Sequence, residues 1–125
     1  MNKETKILIA ISVLILAGII SLAIFANKNE KPNLGPGQFD SFAKCLAQKQ
    51  ITMYGAYWCA HCQNEKKAFG NSFQYVPYVE CTKETKLCLE KGVEGYPTWI
   101  FPDGRKLVGE QGIEKLSKES GCALP

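Results

Sequence analysis

The chain has 125 residues, 46% of them hydrophobic, and its 15 basic and 12 acidic side chains give a formal net charge of +3. This length accommodates one ordinary domain. The charge is too small and too mixed for a nucleic-acid-binding surface. The densest basic cluster is the pair Lys66 and Lys67, which is typical of a solvated helix face.

The apolar residues are concentrated near the N-terminus. Residues 7 to 26 contain no charged side chain, and 17 of the 20 are apolar. As a helix this segment is about 30 Å long, the thickness of the hydrocarbon core of a bilayer. The alternative is a cleaved signal peptide, but its apolar core is shorter, and the bulky Ile24 lies two positions before Ala26, where cleavage requires a small residue. We therefore expect a short tail at residues 1 to 6 and a transmembrane anchor at residues 7 to 26.

The remainder divides into a linker and one domain. Residues 27 to 37 are polar, with two prolines and two glycines, which predicts a flexible linker. Within residues 38 to 125, periodicity and turn residues predict helices at 38 to 49, 59 to 69, 83 to 91 and 112 to 120, and strands at 51 to 57, 75 to 81, 98 to 101 and 106 to 108. The strand at 51 to 57 is expected to be central and buried, whereas Pro77 moves the next strand to an edge or a bulge. The order fits an α/β fold with a parallel strand–helix–strand unit, a hairpin and a covering helix.

Six cysteines, all beyond the anchor, indicate an oxidising compartment and place the domain outside the cytosol. The lysines on the two sides of the anchor are nearly balanced and do not decide its orientation. Cys59 and Cys62 are separated by two residues, the spacing of a redox-active pair. The other four are Cys45, Cys81, Cys88 and Cys122.

The sequence leaves three pairings of these four open. Pairing Cys81 with Cys88 would close a short loop, and this pair could also act as a second, relay redox pair. Pairing Cys45 with Cys122 would link the two ends of the domain. A further alternative is a zinc site with the ligands Cys59, Cys62, Cys81 and Cys88. Its last spacing, six residues, is a poor match to a zinc ribbon.

Cys59 follows a predicted strand and opens a predicted helix. Unpaired backbone N–H groups and the positive end of the helix dipole favour a thiolate at this position. His61, the one histidine of the chain, is expected to stabilise that thiolate further, which makes the disulfide a better oxidant. Cys62, one turn later, is expected to be more buried and to act as the resolving partner. Trp58, directly before Cys59, is expected to shield one side of the disulfide.

Pro97 is the second candidate element of the site. It leads a predicted strand and follows Gly95 and Tyr96. A cis Tyr96–Pro97 bond would explain the proline, since cis peptide bonds are almost confined to prolines. The alternative is an ordinary trans proline at the start of a strand.

The segment WCAHC after a hydrophobic strand, with GYPT further along the chain, resembles the thioredoxin superfamily over residues 38 to 122. The longer strings MYGAYWC, HCQ, VEC and YPTW are similar to one branch in particular. This branch is the thioredoxin-like domain that is fused to, or works beside, bacterial vitamin K epoxide reductase homologues.

The resemblance implies a thioredoxin-like fold over residues 38 to 125 and a thiol-disulfide oxidoreductase facing the periplasm or another extracytoplasmic space. A single span would anchor it in the cell (inner) membrane. Cys59 would exchange disulfides with cysteine-containing secreted proteins, and Cys62 would resolve the mixed disulfides. Pro97 would be a cis-proline beside the disulfide, and the backbone around Tyr96 would pair with an extended substrate peptide.

The resemblance also implies that a quinone-linked, vitamin K epoxide reductase-like membrane oxidase reoxidises the pair. The domain itself is expected to hold no cofactor and no metal. Two departures from the family pattern are visible. Met53 stands six residues before Cys59, where thioredoxins often have a buried acid, and this argues against an efficient reductant. The cysteines also enclose Ala-His rather than Pro-His.

The same residues also fit two other functions. The same fold could act as a disulfide reductase or isomerase fed by a membrane electron carrier. Alternatively, Cys59, His61 and Cys62 could hold copper or zinc in a non-catalytic module, because soft sulfur and imidazole ligands suit these metals. The absence of a second histidine argues against the metal module.

Overall fold

A computed structural model describes residues 2 to 26, with side chains up to residue 21, and residues 35 to 125. The chain divides into two compact units, of which the second is Gly35–Pro125. Residues 27 to 34, most of the predicted linker, lie outside the described residues.

The described part of the N-terminal unit forms one helix, α1 (Lys3–Ala26). It starts four residues before the predicted anchor and therefore includes most of the predicted tail of residues 1 to 6. Glu4, in the first turn, interacts favourably with the positive end of the helix dipole and supports this earlier start. The segment Lys3–Ser21 is long and apolar enough to cross a membrane by length and composition.

The second unit begins at Gly35, three residues before the predicted start of the domain. Gln74 Nε2 donates to the Gly35 carbonyl oxygen at 3.3 Å. Gly37 lies so close to Ser72 that a Cβ at this position would collide with its backbone nitrogen at 2.6 Å. The last three residues of the predicted linker are therefore part of the domain.

All eight predicted elements of the domain are present; the first three strands are shorter than predicted, and the last has the predicted bounds. They are α2 (Asp40–Gln48), β1 (Thr52–Gly55), α3 (Ala60–Phe69), β2 (Tyr78–Glu80), α4 (Thr85–Glu90), β3 (Thr98–Ile100), β4 (Lys106–Val108) and α5 (Ile113–Ser120). A 3-10 helix (Gly70–Tyr75), which was not predicted, continues the chain after α3. Gly70 has a positive φ of 55°, which ends α3 and starts this tighter turn.

The four strands form one mixed sheet in the order β2-β1-β3-β4. β1 pairs parallel with β2 and antiparallel with β3, and β3 pairs antiparallel with β4. The prediction of a central β1 and an edge position for the strand after Pro77 is confirmed.

Alternate residues of β1 contribute to two separate apolar clusters, because successive side chains of a strand point to opposite faces of the sheet. Met53 belongs to the main core, which also contains Phe42, Phe69 and Trp99. The Phe69 ring is stacked on Phe42 at 5.6 Å and lies 6.0 Å from Trp99. Tyr54 belongs to a smaller cluster on the other face, with Cys81 and Cys88. Helices therefore cover both faces of the sheet, as expected for a thioredoxin-like α/β fold.

Two disulfides close the domain. Cys45 in α2 is bonded to Cys122, just after α5, and Cys81, just after β2, is bonded to Cys88 in α4. The Cys81–Cys88 bond uses two of the four cysteines that the alternative zinc site would need as ligands. Cys81 and Cys88 are only 2% and 3% exposed. Because a relay disulfide must be reached by an incoming thiolate, this burial favours a structural bond over a second redox pair.

Candidate active site

The two remaining cysteines lie at the start of α3. Cys59 is the residue that caps the helix, and its Sγ accepts a hydrogen bond from the backbone N–H of Cys62 at 3.2 Å. Both are free cysteines, with Cys59 7% exposed and Cys62 fully buried. The sulfur of Cys59 thus receives one of the unpaired N–H groups of the first helical turn and lies at the positive end of the helix dipole.

Cys62 has a different environment. Burial, followed by its hydrogen bond with Cys59, raises the pKa of the Cys62 thiol to about 12, although the Ala56 backbone and the positive charge of Lys66 lower it in part. In the reduced pair at neutral pH, the protonated form of Cys62 is therefore strongly favoured. The two sulfurs are therefore chemically unequal, and only Cys59 is partly accessible to solvent.

His61 lies between them in the chain, and its imidazole is bonded to Glu110. Its ring is 70% exposed, and Nδ1 lies 2.9 Å from Oε2 of Glu110, which also accepts a hydrogen bond from Asn64 at 3.3 Å. The hydrogen bond with His61, followed by that with Asn64, holds the pKa of the Glu110 carboxyl below its ordinary value. Within the residues that the structure describes, no hydrogen bond joins the imidazole to Cys59. The sequence contained no sign of Glu110, which lies 49 positions from His61.

A groove of about 500 Å³ opens beside Cys59. One side is formed by residues 58 to 61 and the other by residues 93 to 96, in the loop before β3. Trp58 is 61% exposed, and its ring meets that of Tyr96 edge to face at 5.9 Å. The fold thus brings the predicted substrate-binding residues Trp58 and Tyr96 together next to Cys59.

Pro97, the second predicted element of the site, directly follows Tyr96 in the chain. The Tyr96–Pro97 peptide bond is cis, as the sequence predicts. The Pro97 side chain is fully buried, and its carbonyl oxygen accepts a hydrogen bond from the Gly109 N–H at 2.8 Å.

The sequence model of the thioredoxin family matches residues 33 to 119. The chain belongs to the thioredoxin family.

Three curated relatives of this thioredoxin-family chain carry informative names. Thiol-disulfide oxidoreductase LTO1 of Arabidopsis thaliana is 38% identical over 93 residues, which are 67% of this chain and 24% of the relative. Protein disulfide-isomerase of Humicola insolens is 32% identical over 92 residues, 65% of this chain and 17% of the relative. Probable protein disulfide-isomerase ER-60 of Schistosoma mansoni is 30% identical over 99 residues, which are 71% of this chain and 20% of the relative. The chain therefore spans about a quarter or less of the length of these relatives.

The buried acid of this thioredoxin-family domain is not at the position where the family often has one. Met53 occupies that position and is fully buried. A buried carboxylate is found instead at Glu65, one helical turn after Cys62, where it accepts hydrogen bonds from the backbone N–H groups of Gln111 at 2.6 Å and Gly112 at 2.9 Å. Sequence reasoning missed Glu65 because it occupies an otherwise polar stretch of α3.

Burial raises the pKa of the Glu65 carboxyl, and these backbone hydrogen bonds lower it only in part. The indole N–H of Trp99 is close enough to lower it further, although Nε1 has no hydrogen-bonding partner of good geometry in the described part of the chain. Both carboxylate oxygens of Glu65 accept hydrogen bonds from residues just before α5. We therefore infer that Glu65 stabilises the loop between β4 and α5.

The metal-binding alternative finds little support in the geometry. Over residues 2 to 26 and 35 to 125, no group of three or more His, Cys, Asp and Glu side chains is arranged to hold a metal ion. Nδ1 of His61, one of the proposed ligand atoms, faces Glu110.

Proposed function

We propose that this chain is a membrane-anchored thiol-disulfide oxidoreductase that introduces disulfides into secreted proteins through Cys59 and Cys62. The observation that carries the proposal is the inequality of the two sulfurs. Cys59 caps a helix at the edge of an open groove, whereas Cys62 is fully buried behind it with a pKa of about 12. This arrangement suits an attacking and attacked sulfur with an internal resolving partner.

In the oxidising direction the pair starts as a disulfide. A substrate thiolate attacks Cys59 Sγ and breaks the bond to Cys62, whose sulfur leaves and takes up a proton. A second substrate thiolate then attacks the substrate sulfur of the mixed disulfide and releases Cys59 as a thiolate. The substrate loses two electrons and gains a disulfide, and the Cys59–Cys62 pair gains the two electrons.

The groove supplies a place for the substrate chain. The exposed Trp58 and the ring of Tyr96 border it. In the described residues, none of the hydrogen bonds outside helices and strands uses the N–H or C=O of Tyr96. An extended peptide can therefore pair with the backbone there, as an added strand does at a sheet edge.

The proposed location is the extracytoplasmic side of the cell (inner) membrane. The length and composition of α1 support a membrane anchor at residues 7 to 26. The disulfides Cys45–Cys122 and Cys81–Cys88 support an oxidising compartment, since cytosolic reductants keep most thiols reduced. Alkaline carbonate extraction and mass spectrometry test the anchor. An uncleaved 125-residue chain that stays in the membrane pellet supports it, and a shortened soluble chain refutes it.

The proposed reoxidant is a quinone-linked, vitamin K epoxide reductase-like membrane oxidase. The support is the resemblance of MYGAYWC, HCQ, VEC and YPTW to domains that work with such oxidases. Membrane vesicles with and without such an oxidase, supplied with a quinone, provide the test. Only the vesicles that contain the oxidase should turn reduced chain into the disulfide form catalytically.

An isomerase function is the second candidate, because two of the relatives are named protein disulfide-isomerases. The reduction potential of the pair, measured in glutathione buffers, tests the oxidising direction. We expect a value above about −200 mV, together with stoichiometric transfer of the disulfide to reduced, unfolded ribonuclease A. A value near that of thioredoxin, about −270 mV, would refute the oxidase function. Rearrangement of scrambled ribonuclease without net oxidation would favour the isomerase.

A further inference from the structure

The buried Cys62 sulfur and a phenol share one small space beside β1. Gly55 has no side chain, and a Cβ placed on it would lie 3.0 Å from Cys62 Sγ and 3.3 Å from Tyr78 Oη. The absence of a side chain at Gly55 thus allows the sulfur of α3 and the phenol of β2 to approach the same point of the backbone. Burial, followed by the hydrogen bond with Glu80, raises the pKa of the Tyr78 phenol, and negative charge on Glu80, Cys62 and Cys59 adds to this rise.

The phenol is connected to a partly exposed carboxylate. Tyr78 Oη donates to Glu80 Oε2 at 2.8 Å. The other oxygen of Glu80 accepts from Thr82 Oγ1 at 2.8 Å and from the Tyr57 N–H at 3.2 Å. Desolvation raises the pKa of Glu80, but the hydrogen bonds from Thr82, Tyr78 and Tyr57 outweigh it and leave the pKa below its ordinary value. Glu80 is therefore a carboxylate at neutral pH and accepts the hydrogen bond of the phenol.

The chemistry of the pair requires a proton acceptor near Cys62. To resolve a mixed disulfide on Cys59, Cys62 must first lose its proton, because only the thiolate is a nucleophile. Its sulfur is fully buried, so bulk water cannot take the proton directly. The position six residues before Cys59, where a family acid would stand, is the apolar Met53.

We propose that Tyr78 and Glu80 form the route by which Cys62 loses and regains its proton. The Cys62 S–H proton moves to Tyr78 Oη while the phenol proton moves to Glu80 Oε2, so Tyr78 stays neutral and Glu80 becomes a carboxylic acid that releases the proton to water. The Cys62 thiolate then attacks Cys59 Sγ, and the bond between Cys59 and the partner sulfur breaks. The partner leaves as a thiolate, and the reverse path protonates Cys62 when its disulfide is opened.

The groups around this route come from three elements. α3 contributes Cys59 at its cap and Lys66, whose ammonium lies 3.7 Å from the centre of the Tyr78 ring and favours the Cys62 thiolate. β2 contributes Glu80. On the side of β1, the Gly55 backbone lies beside the sulfur, and the Ala56 backbone lowers the pKa of Cys62. Lys66 thus stabilises the anion that the route produces, and Glu80 accepts the proton.

The inference rests on the thiol-disulfide exchange of the proposed function but not on its direction. The test uses the full chain in detergent, reduced at Cys59 and Cys62 and mixed with excess glutathione disulfide. Acid quenching and mass spectrometry give two rates, the formation of the Cys59–glutathione mixed disulfide and its resolution by Cys62. Both rates are measured from pH 5 to pH 10 in wild type and in Tyr78→Phe, which keeps the ring beneath Lys66.

In Tyr78→Phe we expect the resolution rate to fall roughly a hundredfold at pH 7, the size of a typical general-acid–base contribution. The loss should shrink as the pH rises, because hydroxide replaces the missing route. The rate of mixed-disulfide formation should stay unchanged, and Glu80→Gln should show the same selective loss. The matched control is Tyr75→Phe, which removes a phenol that lies under Lys44 in a similar cation–π contact.

An equal loss at every pH would indicate altered packing and overturn the route, as would resolution at the wild-type rate. A separate result decides the proposed function. If the chain fails to oxidise ribonuclease A but Tyr78→Phe still slows resolution selectively, the oxidase direction is wrong and the proton route is supported.

Discussion

The imidazole Nδ1 of His61 lies 2.9 Å from Oε2 of Glu110, so the histidine between the two cysteines is held by the segment that joins β4 to α5. The pair is exposed, with side chains 70% and 40% accessible. Exposed ion pairs add little to folding stability. The effect of the pair is therefore expected on the chemistry of Cys59, because the Glu110 carboxylate binds the imidazole of His61, two positions after Cys59, and occupies its Nδ1.

Glu110→Gln should make the disulfide a stronger oxidant. The substitution removes a negative charge that opposes the Cys59 thiolate and frees the imidazole to donate a hydrogen bond to it. Both changes stabilise the reduced form and raise the reduction potential, by about 30 mV for each tenfold change in the equilibrium constant. Glutathione-buffer titrations at pH 7 measure the shift.

Two variants control this measurement. Glu119→Gln removes a carboxylate of similar type that is paired with Arg105, and it should leave the potential unchanged. Glu110→Gln combined with His61→Ala separates the charge from the freed imidazole. An unchanged or lower potential in Glu110→Gln would contradict the prediction.

Cys62→Ser should trap substrates on Cys59. Serine cannot resolve a mixed disulfide, and at this fully buried position it cannot itself be reached by clients. In cells we expect adducts with cysteine-containing extracytoplasmic proteins that disappear on reduction, visible in non-reducing gels and identified by mass spectrometry. Cys59→Ser and the double variant should form none. Equal exchange activity in Cys62→Ser and wild type would refute the two-cysteine mechanism.

The sequence was sufficient for the parts of the fold that depend on local pattern. Alternating and helical periodicity located all eight elements of the domain, and the two-residue spacing located Cys59 and Cys62. The position directly before Cys59 located Trp58, Pro97 suggested the cis bond, and the resemblance to thioredoxins added the substrate-binding role of Tyr96; the fold places Trp58 and Tyr96 on one groove.

What the sequence could not supply are contacts between distant segments. Glu110 meets His61 across 49 positions, and Glu65 meets the Gln111 N–H across 46. Local periodicity contains no information about such pairs, so both acids looked like ordinary surface residues. The 3-10 helix at Gly70–Tyr75 was missed for a related reason, since its Ser72 is fixed by Asp40 from the start of α2.

The two structural disulfides should differ in their effect on stability. Cys45 and Cys122 are 77 positions apart, and Cys81 and Cys88 only 7. In the loop-entropy model, alanine at both ends of the long bridge costs about 4 kcal/mol, and at both ends of the short bridge about 2 kcal/mol. Urea unfolding of the full chain in detergent measures both.

Neither double variant should change the rate of exchange with glutathione disulfide in the folded protein. If removal of Cys81 and Cys88 abolished turnover while the domain remained folded, that result would support a relay function for this pair. If the short bridge cost more stability than the long one, the loop-entropy explanation would fail.

Glu65 should make the folded domain more stable at acidic than at neutral pH, relative to a variant that cannot ionise. Burial raises its pKa above the ordinary value of 4.5, so the folded state binds the proton more tightly than the unfolded state. Below pH 4.5 the carboxyl is protonated in both states and its contribution is fully present. That contribution is lost as the pH rises through the folded pKa.

Glu65→Gln removes this dependence, because an amide has no proton to lose. The Gln111 and Gly112 N–H groups share one remaining acceptor oxygen in the variant, which costs about 1 kcal/mol or more at every pH and leaves the slope unaffected. The unfolding free energy of wild type minus that of Glu65→Gln should therefore fall from pH 4 to pH 8 in urea titrations. For Glu114→Gln, at an exposed position, the corresponding difference in unfolding free energy should change much less with pH. A difference that rises with pH for Glu65 would mean that the backbone N–H groups stabilise the carboxylate more than burial destabilises it.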